Sequence, residues 1–78
     1  MKQEMKISFP QHLIKEPVIF LMAKKYDVMP NIKRASIIGT VGEMVLVLEG
    51  TEDNLTRSIQ SLKDQGIGVE LVEGDAAG

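Results

Sequence analysis

The run Pro17-Val18-Ile19-Phe20-Leu21-Met22-Ala23, followed by Lys24, Lys25 and Tyr26, constrains this chain most. It reads as a helix that is apolar around most of its circumference. A helix resting on one sheet needs only an apolar stripe about 100° wide. Ile19, Met22, Ala23 and Tyr26 form that stripe; Val18 and Leu21 lie beside it and Phe20 lies further round. The surplus apolar surface calls for a second subunit, or a ligand held between subunits.

Size strengthens the argument. The chain has 78 residues, enough for one domain. A core this small supplies about 3–5 kcal/mol unless something staples it. There is no cysteine, so disulfides, iron–sulfur clusters and thiol chemistry are excluded. His12 is the single histidine, which makes a zinc staple a poor expectation. Oligomerisation is the remaining common device. The formal charge of −2 provides no cationic footprint for nucleic acid. No basic segment leads into a long apolar run at the amino end, and Val18–Ala23 is too short to span a bilayer. A cytoplasmic protein without membrane insertion is the expectation.

Along the chain, Met5-Lys6-Ile7-Ser8-Phe9 alternates with period two, as a strand with one buried face does. Pro10 ends it, and residues 11–15 connect to the first helix, which opens at Pro17. Lys24 and Lys25 complement the carboxyl end of the helix dipole, and Pro30 blocks continuation. A second strand runs from about Asn31 to Ile38. Ile32, Ala35, Ile37 and Ile38 do not share one parity, so a bulge near Ala35–Ser36, or partial burial of both faces, is predicted. Gly39-Thr40-Val41-Gly42 serves as a hairpin connection. Met44 to Leu48 is continuously apolar and predicts a central strand. Thr51 is placed to cap a second helix, with Glu52 and Asp53 in its first turn and Leu55, Ile59 and Leu62 as a narrow stripe. Gly66 suits a left-handed cap, a fourth strand covers Ile67 to Val72, and residues 74–78 form a loose tail.

The order β-α-β-β-α-β with right-handed crossovers defines an α+β, ferredoxin-like two-layer sandwich. Its four-stranded antiparallel sheet has spatial order four, one, three, two, with both helices on one face. The whole chain, residues 1–78, forms a single domain with an ordered core over about 2–73.

Catalytic patterns are missing. The first and third strands lack the aromatic platform for single-stranded RNA. The first loop, Pro10-Gln11-His12-Leu13-Ile14, lacks the paired thiols of a metal chaperone. His12 has no sequence signal for a catalytic triad. Asp27, Glu43, Glu49, Asp53 and Glu70 read as solvated surface charges. Gly39–Gly42 lacks the Gly-Lys-Ser/Thr ending of a phosphate loop and joins two strands. The chain is expected to be non-catalytic, with no cofactor and no metal.

Several short matches in order carry a resemblance: Glu16-Pro17-Val18-Ile19, Tyr26-Asp27-Val28, Asn31-Ile32-Lys33, Gly42-Glu43-Met44-Val45, Leu48-Glu49-Gly50, and Leu62-Lys63-Asp64-Gln65-Gly66-Ile67 with Val69-Glu70. Over residues 5–73 the chain resembles the NIL domain family, itself similar in fold to ACT domains. Lys33 stands where the family's Asn-Ile-Leu tripeptide has Leu. Such domains sit at the carboxyl end of methionine-uptake ABC transporter ATPases, pairing across the assembly and binding methionine as a feedback signal. Others are fused to ferredoxin-like cluster domains linked to sulfur metabolism. This sequence has no Walker motif and no cluster cysteines. The resemblance therefore implies a sensor domain for methionine or a related amino acid, acting as a homodimer; the alternative is an interaction module for a transporter ATPase or an enzyme of homocysteine and methionine metabolism.

The residue chemistry allows a ligand site at the second strand. Asn31 offers two donors and an acceptor, and Lys33 could pair a carboxylate. Met29 and Ile32 could hold a thioether tail, methionine being flexible and polarizable. Asn31 equally suits the turn after Pro30, and Met29 equally suits core filling. Val18, Phe20, Leu21, Ile32, Arg34 and Ile38 are the expected dimer contacts.

Overall fold

The computed structural model describes residues 1–10 and 17–72. The elements run β1 (Lys2–Phe9), α1 (Val18–Tyr26), β2 (Met29–Ile38), β3 (Val41–Glu49), α2 (Glu52–Asp64) and β4 (Gly68–Val72). The sheet is antiparallel throughout, in the order β2-β3-β1-β4. That is the predicted ferredoxin-like topology, with β2 and β4 as edges. The expectations for residues 11–15, His12 among them, and for the tail at 74–78 lie outside the described residues.

One face of the sheet carries the core. Met5, Ile7 and Phe9 from β1 and Leu46 and Leu48 from β3 pack against Ile19 and Met22 of α1 and Leu55 and Leu62 of α2. Residues paired across strands share a face, so the register assigns the other side as well. Glu4, Lys6 and Ser8 of β1 lie with Glu43, Val45 and Val47 of β3 on the face away from the core. This open face explains why β3 is apolar on both sides: Leu46 and Leu48 fill the core, while Val45 and Val47 are half-buried opposite.

The helix ends follow local chemistry. The Thr51 side chain accepts a hydrogen bond from the Asn54 N–H at 3.1 Å, the cap expected. At the other end of α2, Gly66 takes φ +85, its N–H reaching the Lys63 carbonyl and the Ile67 N–H the Leu62 carbonyl. This is a Schellman motif, with Leu62 and Ile67 both buried in the core. Ile67 thus belongs to the cap, and β4 begins one residue later than expected.

Other boundaries also differ from the sequence reading, β1 starting at Lys2 and β2 at Met29. Pro17 is the N-cap of α1, and Val18 is its first helical residue. Asp27 stops α1 by adopting φ 55, with the Val28 N–H bonded to the Ala23 carbonyl at 3.2 Å. The helix has therefore ended before Pro30, which lies inside β2, an edge strand where a missing N–H is tolerated. The β2–β3 connection is also tighter: Ile38 pairs with Val41, leaving Gly39-Thr40 as a two-residue turn with Gly39 at φ 62.

The bulge is displaced from its expected place. The register breaks between Ile32 and Arg34, so the extra residue is Lys33 rather than one near Ala35–Ser36. Ile32, Ala35 and Ile37 then share the core-side face, paired with Leu46, Met44 and Gly42. Arg34, Ser36 and Ile38 lie on the open face. Two consecutive charged side chains cannot both alternate out of a core, and the bulge lets Lys33 and Arg34 both avoid it.

Candidate functional site

The surplus of α1 is visible in the structure. Phe20 is 64% exposed and Leu21 53%, although Ile19 and Met22 are buried. Beside them, every residue of β2 except Pro30 is exposed, with Ile37 at 63% and Ile38 at 65%. Phe20 and Ile37 both line an open cleft of about 580 Å³ between the start of α1 and the end of β2. Phe9, Val18, Ala35 and Met44 complete much of its wall. Phe20 of α1 and Ile37 of β2 thus face one cleft, whereas Leu21 lines a cleft between the helices and Ile38 lies on the open face. Exposed aromatic and aliphatic side chains facing one cleft make it the candidate interaction surface.

The six expected dimer contacts divide. Phe20, Leu21, Ile32, Arg34 and Ile38 are exposed along α1 and β2. Val18 is only 6% exposed and belongs to the chain's own core, because it lies on the side of α1 that meets the sheet. Ile37, which the sequence reading left out, stands beside Phe20. A one-residue break anywhere between Ile32 and Ile37 puts Ile37 on the face of Ile32 and Ile38 on the other; placing it at Lys33 rather than Ala35–Ser36 changes only the residues between. The adjacent charges at Lys33-Arg34 were the available signal for that placement.

The four expected ligand residues are not gathered in one place. Met29 and Asn31 pair with Glu49 and Val47 and lie on the open face, whereas Ile32 pairs with Leu46 on the core side. None of the four lines the 580 Å³ cleft. Lys33 Nζ lies 3.0 Å from Glu4 Oε1, so its side chain reaches past β3 towards β1. Lys33 is therefore already paired with a carboxylate of its own chain.

Two further clefts are present. One of about 790 Å³ runs between the helices, floored by Val18, Met22 and Tyr26 and edged by Lys25, Arg57 and Asp64. The Lys25 ammonium stands 5.5 Å from the centre of the Tyr26 ring there. The other, of about 220 Å³, lies on the open face around Arg34, Ser36, Glu43, Val45 and Lys6. Lys6 Nζ and Glu43 Oε2 are 3.6 Å apart in it. Among the described residues, no group of three His, Cys, Asp or Glu could hold a metal ion, and no helix is long and apolar enough to cross a membrane.

An α+β sandwich with an apolar helix flank and an unpaired edge strand beside it defines the class of small ferredoxin-like domains. Within that class, the chain belongs to the NIL domain family, whose model matches residues 4–71. The methionine import ATP-binding protein MetN 1 of Listeria monocytogenes serotype 4b is 37% identical over 62 residues, covering 74% of this chain and 18% of that protein. The methionine import ATP-binding protein MetN of Coxiella burnetii is 28% identical over 72 residues, covering 87% of this chain and 20% of that protein. The chain thus spans about a fifth of the length of these relatives. Among solved structures, the C-terminal domain of an ABC transporter ATP-binding protein from Enterococcus faecalis superposes with TM-score 0.79 at 24% identity, covering 92% of this chain and 84% of that one. The de novo designed protein Foldit4 superposes with TM-score 0.61 at 9% identity, covering 94% and 96%. These two likenesses show the fold.

Proposed function

We propose that this chain is a non-catalytic regulatory domain that binds methionine or a related amino acid and works as a homodimer in the cytoplasm, in the service of a methionine transporter ATPase. Membership of the NIL family, with methionine import proteins as relatives, supports the ligand class. The observation that carries the dimer is the pair of exposed residues Phe20 and Ile37 facing one cleft beside the β2 edge. One copy of the fold cannot cover it. A second copy related by a two-fold axis would bury the same patch on both subunits.

Edge strand β2 supplies both parts of the reading. Its outward N–H and C=O groups can bind the charged ends of an amino acid or pair with a partner strand. Asn31, exposed on this edge, is the side chain assigned to contact ligand, with Met29 two residues away on the same face. Lys33 keeps Glu4 as its partner.

Titration of the chain with L-methionine by calorimetry tests this directly. Binding that weakens in Asn31→Ala, with unchanged unfolding, is the expected result. No heat and no thermal shift at millimolar ligand would contradict it. A monomer that instead captured one enzyme of sulfur amino-acid metabolism would favour the interaction-module alternative.

A further inference from the structure

The small cleft on the open face contains charges that the fold does not need. Glu4 pairs with Lys33, and Lys6 lies 3.6 Å from Glu43. Among the described residues, Arg34 has no ion-pair partner. It is also not a residue that packing requires: it is exposed, on an edge strand, at the residue after the bulge.

The register places its neighbours. Arg34 and Lys6 flank Val45 in one cross-strand row, from β2 and β1 respectively. In the next row, Glu43 stands between Ser36 and Ser8. Arg34 and Glu43 are therefore diagonal neighbours on adjacent strands, a relationship with a spacing of about 7–8 Å. That spacing is within reach of two long side chains, yet no ion pair joins them, and their charged ends stand apart across the cleft. A molecule carrying an anion and a cation on one carbon can bridge that gap. The guanidinium offers a planar fork matched to a carboxylate. The Ser36 hydroxyl can donate to the same group. Glu43 can accept from an ammonium, since its 3.6 Å approach to Lys6 is a loose pairing. Val45 is the apolar floor of this cleft of about 220 Å³.

Resting on the reading that the chain binds an amino acid, we propose that Arg34 holds the ligand's α-carboxylate and Glu43 its α-ammonium in the open-face cleft over Val45. Lys33, the cation beside Arg34, has no part in holding the ligand. Asn31 lies one row along the same face, paired with Val47, and borders this site.

The test uses the full chain, calorimetry, and two probes: L-methionine, and L-methioninol, which keeps the amine and side chain but lacks the carboxylate. Arg34→Gln should weaken L-methionine roughly ten- to hundredfold, the loss of a charge-assisted pair, and leave L-methioninol unchanged. Glu43→Gln should weaken both probes, and Lys33→Gln neither. Because these side chains are exposed or half-buried, circular dichroism should show each variant folded. L-Methionine binding to Arg34→Gln as tightly as to the wild type would overturn the assignment and leave the ligand reading standing. No heat from the wild type with L-methionine or any other standard amino acid would overturn both.

Discussion

Lys33 Nζ reaches Glu4 Oε1 at 3.0 Å, tying an edge strand to the sheet's third strand past the one between. Glu4 is well sheltered and Lys33 half exposed, so the pair is worth at most about 1 kcal/mol to the monomer. Its larger consequence concerns the edge. The midpoint of β2, Met29–Ile38, falls between Lys33 and Arg34. Two copies pairing their β2 edges about a two-fold axis would bring these cations together, and Glu4 offsets part of that repulsion. Glu4→Gln should therefore weaken self-association at low salt, and high salt, where screening acts within about 3 Å at 1 M, should restore it. Sedimentation velocity across a salt series measures this; a variant that associates like the wild type at every salt concentration would show that the β2 centre lies away from the interface.

The cap of α2 predicts a conformational cost without a steric one. Gly66 has φ +85, and a Cβ built there meets nothing within 4 Å. Gly66→Ala should lose about 1–2 kcal/mol from left-handed backbone strain alone. Gly39, at φ +62 with equally open surroundings, should show a comparable loss. Urea unfolding midpoints with unchanged slope are the expected signature; no change in midpoint for either would contradict the assignment of strain.

Leu62 closes the core from the same helix end, fully buried and joined through its carbonyl to the Ile67 N–H at 3.1 Å. Leu62→Ala should cost about 2–5 kcal/mol, comparable to the whole stability of a domain this size. Loss of cooperative thermal unfolding is expected. A midpoint within a few degrees of the wild type would mean that the site collapses without leaving a cavity.

These consequences show which features were legible before any coordinates. The topology was: Ile7 and Phe9 alternate, Leu55 and Leu62 repeat at helical spacing, and Thr51 and Gly66 punctuate the second helix, so pattern and caps agree. The surplus on α1 was legible too, because Phe20 and Leu21 cannot turn towards the sheet while Ile19 and Met22 do. What the sequence hid was parity in β2. Every residue there except Pro30 is exposed, so burial imposes no period and a one-residue slip changes the face of everything beyond it. In β2 that applies to Arg34, which the break at Lys33 puts on the open face and a break at Ala35–Ser36 would put on the core side. The cleft at Arg34 was hidden because it depends on register between β2, β3 and β1, a long-range property that local pattern does not encode. Val18 was misassigned to the outer surface because a helix apolar nearly all round gives no phase for the buried side.

The account depends above all on the exposed flank of α1 and β2 being covered by a second copy. Sedimentation equilibrium at micromolar concentrations on the wild type and on the double variant Phe20→Ser/Ile37→Lys tests that most directly. Both residues are exposed, so the variant should unfold within about 0.5 kcal/mol of the wild type for each change. The wild type should sediment as a dimer and the folded variant as a monomer. A wild type that is monomeric throughout, with or without methionine, would contradict the account.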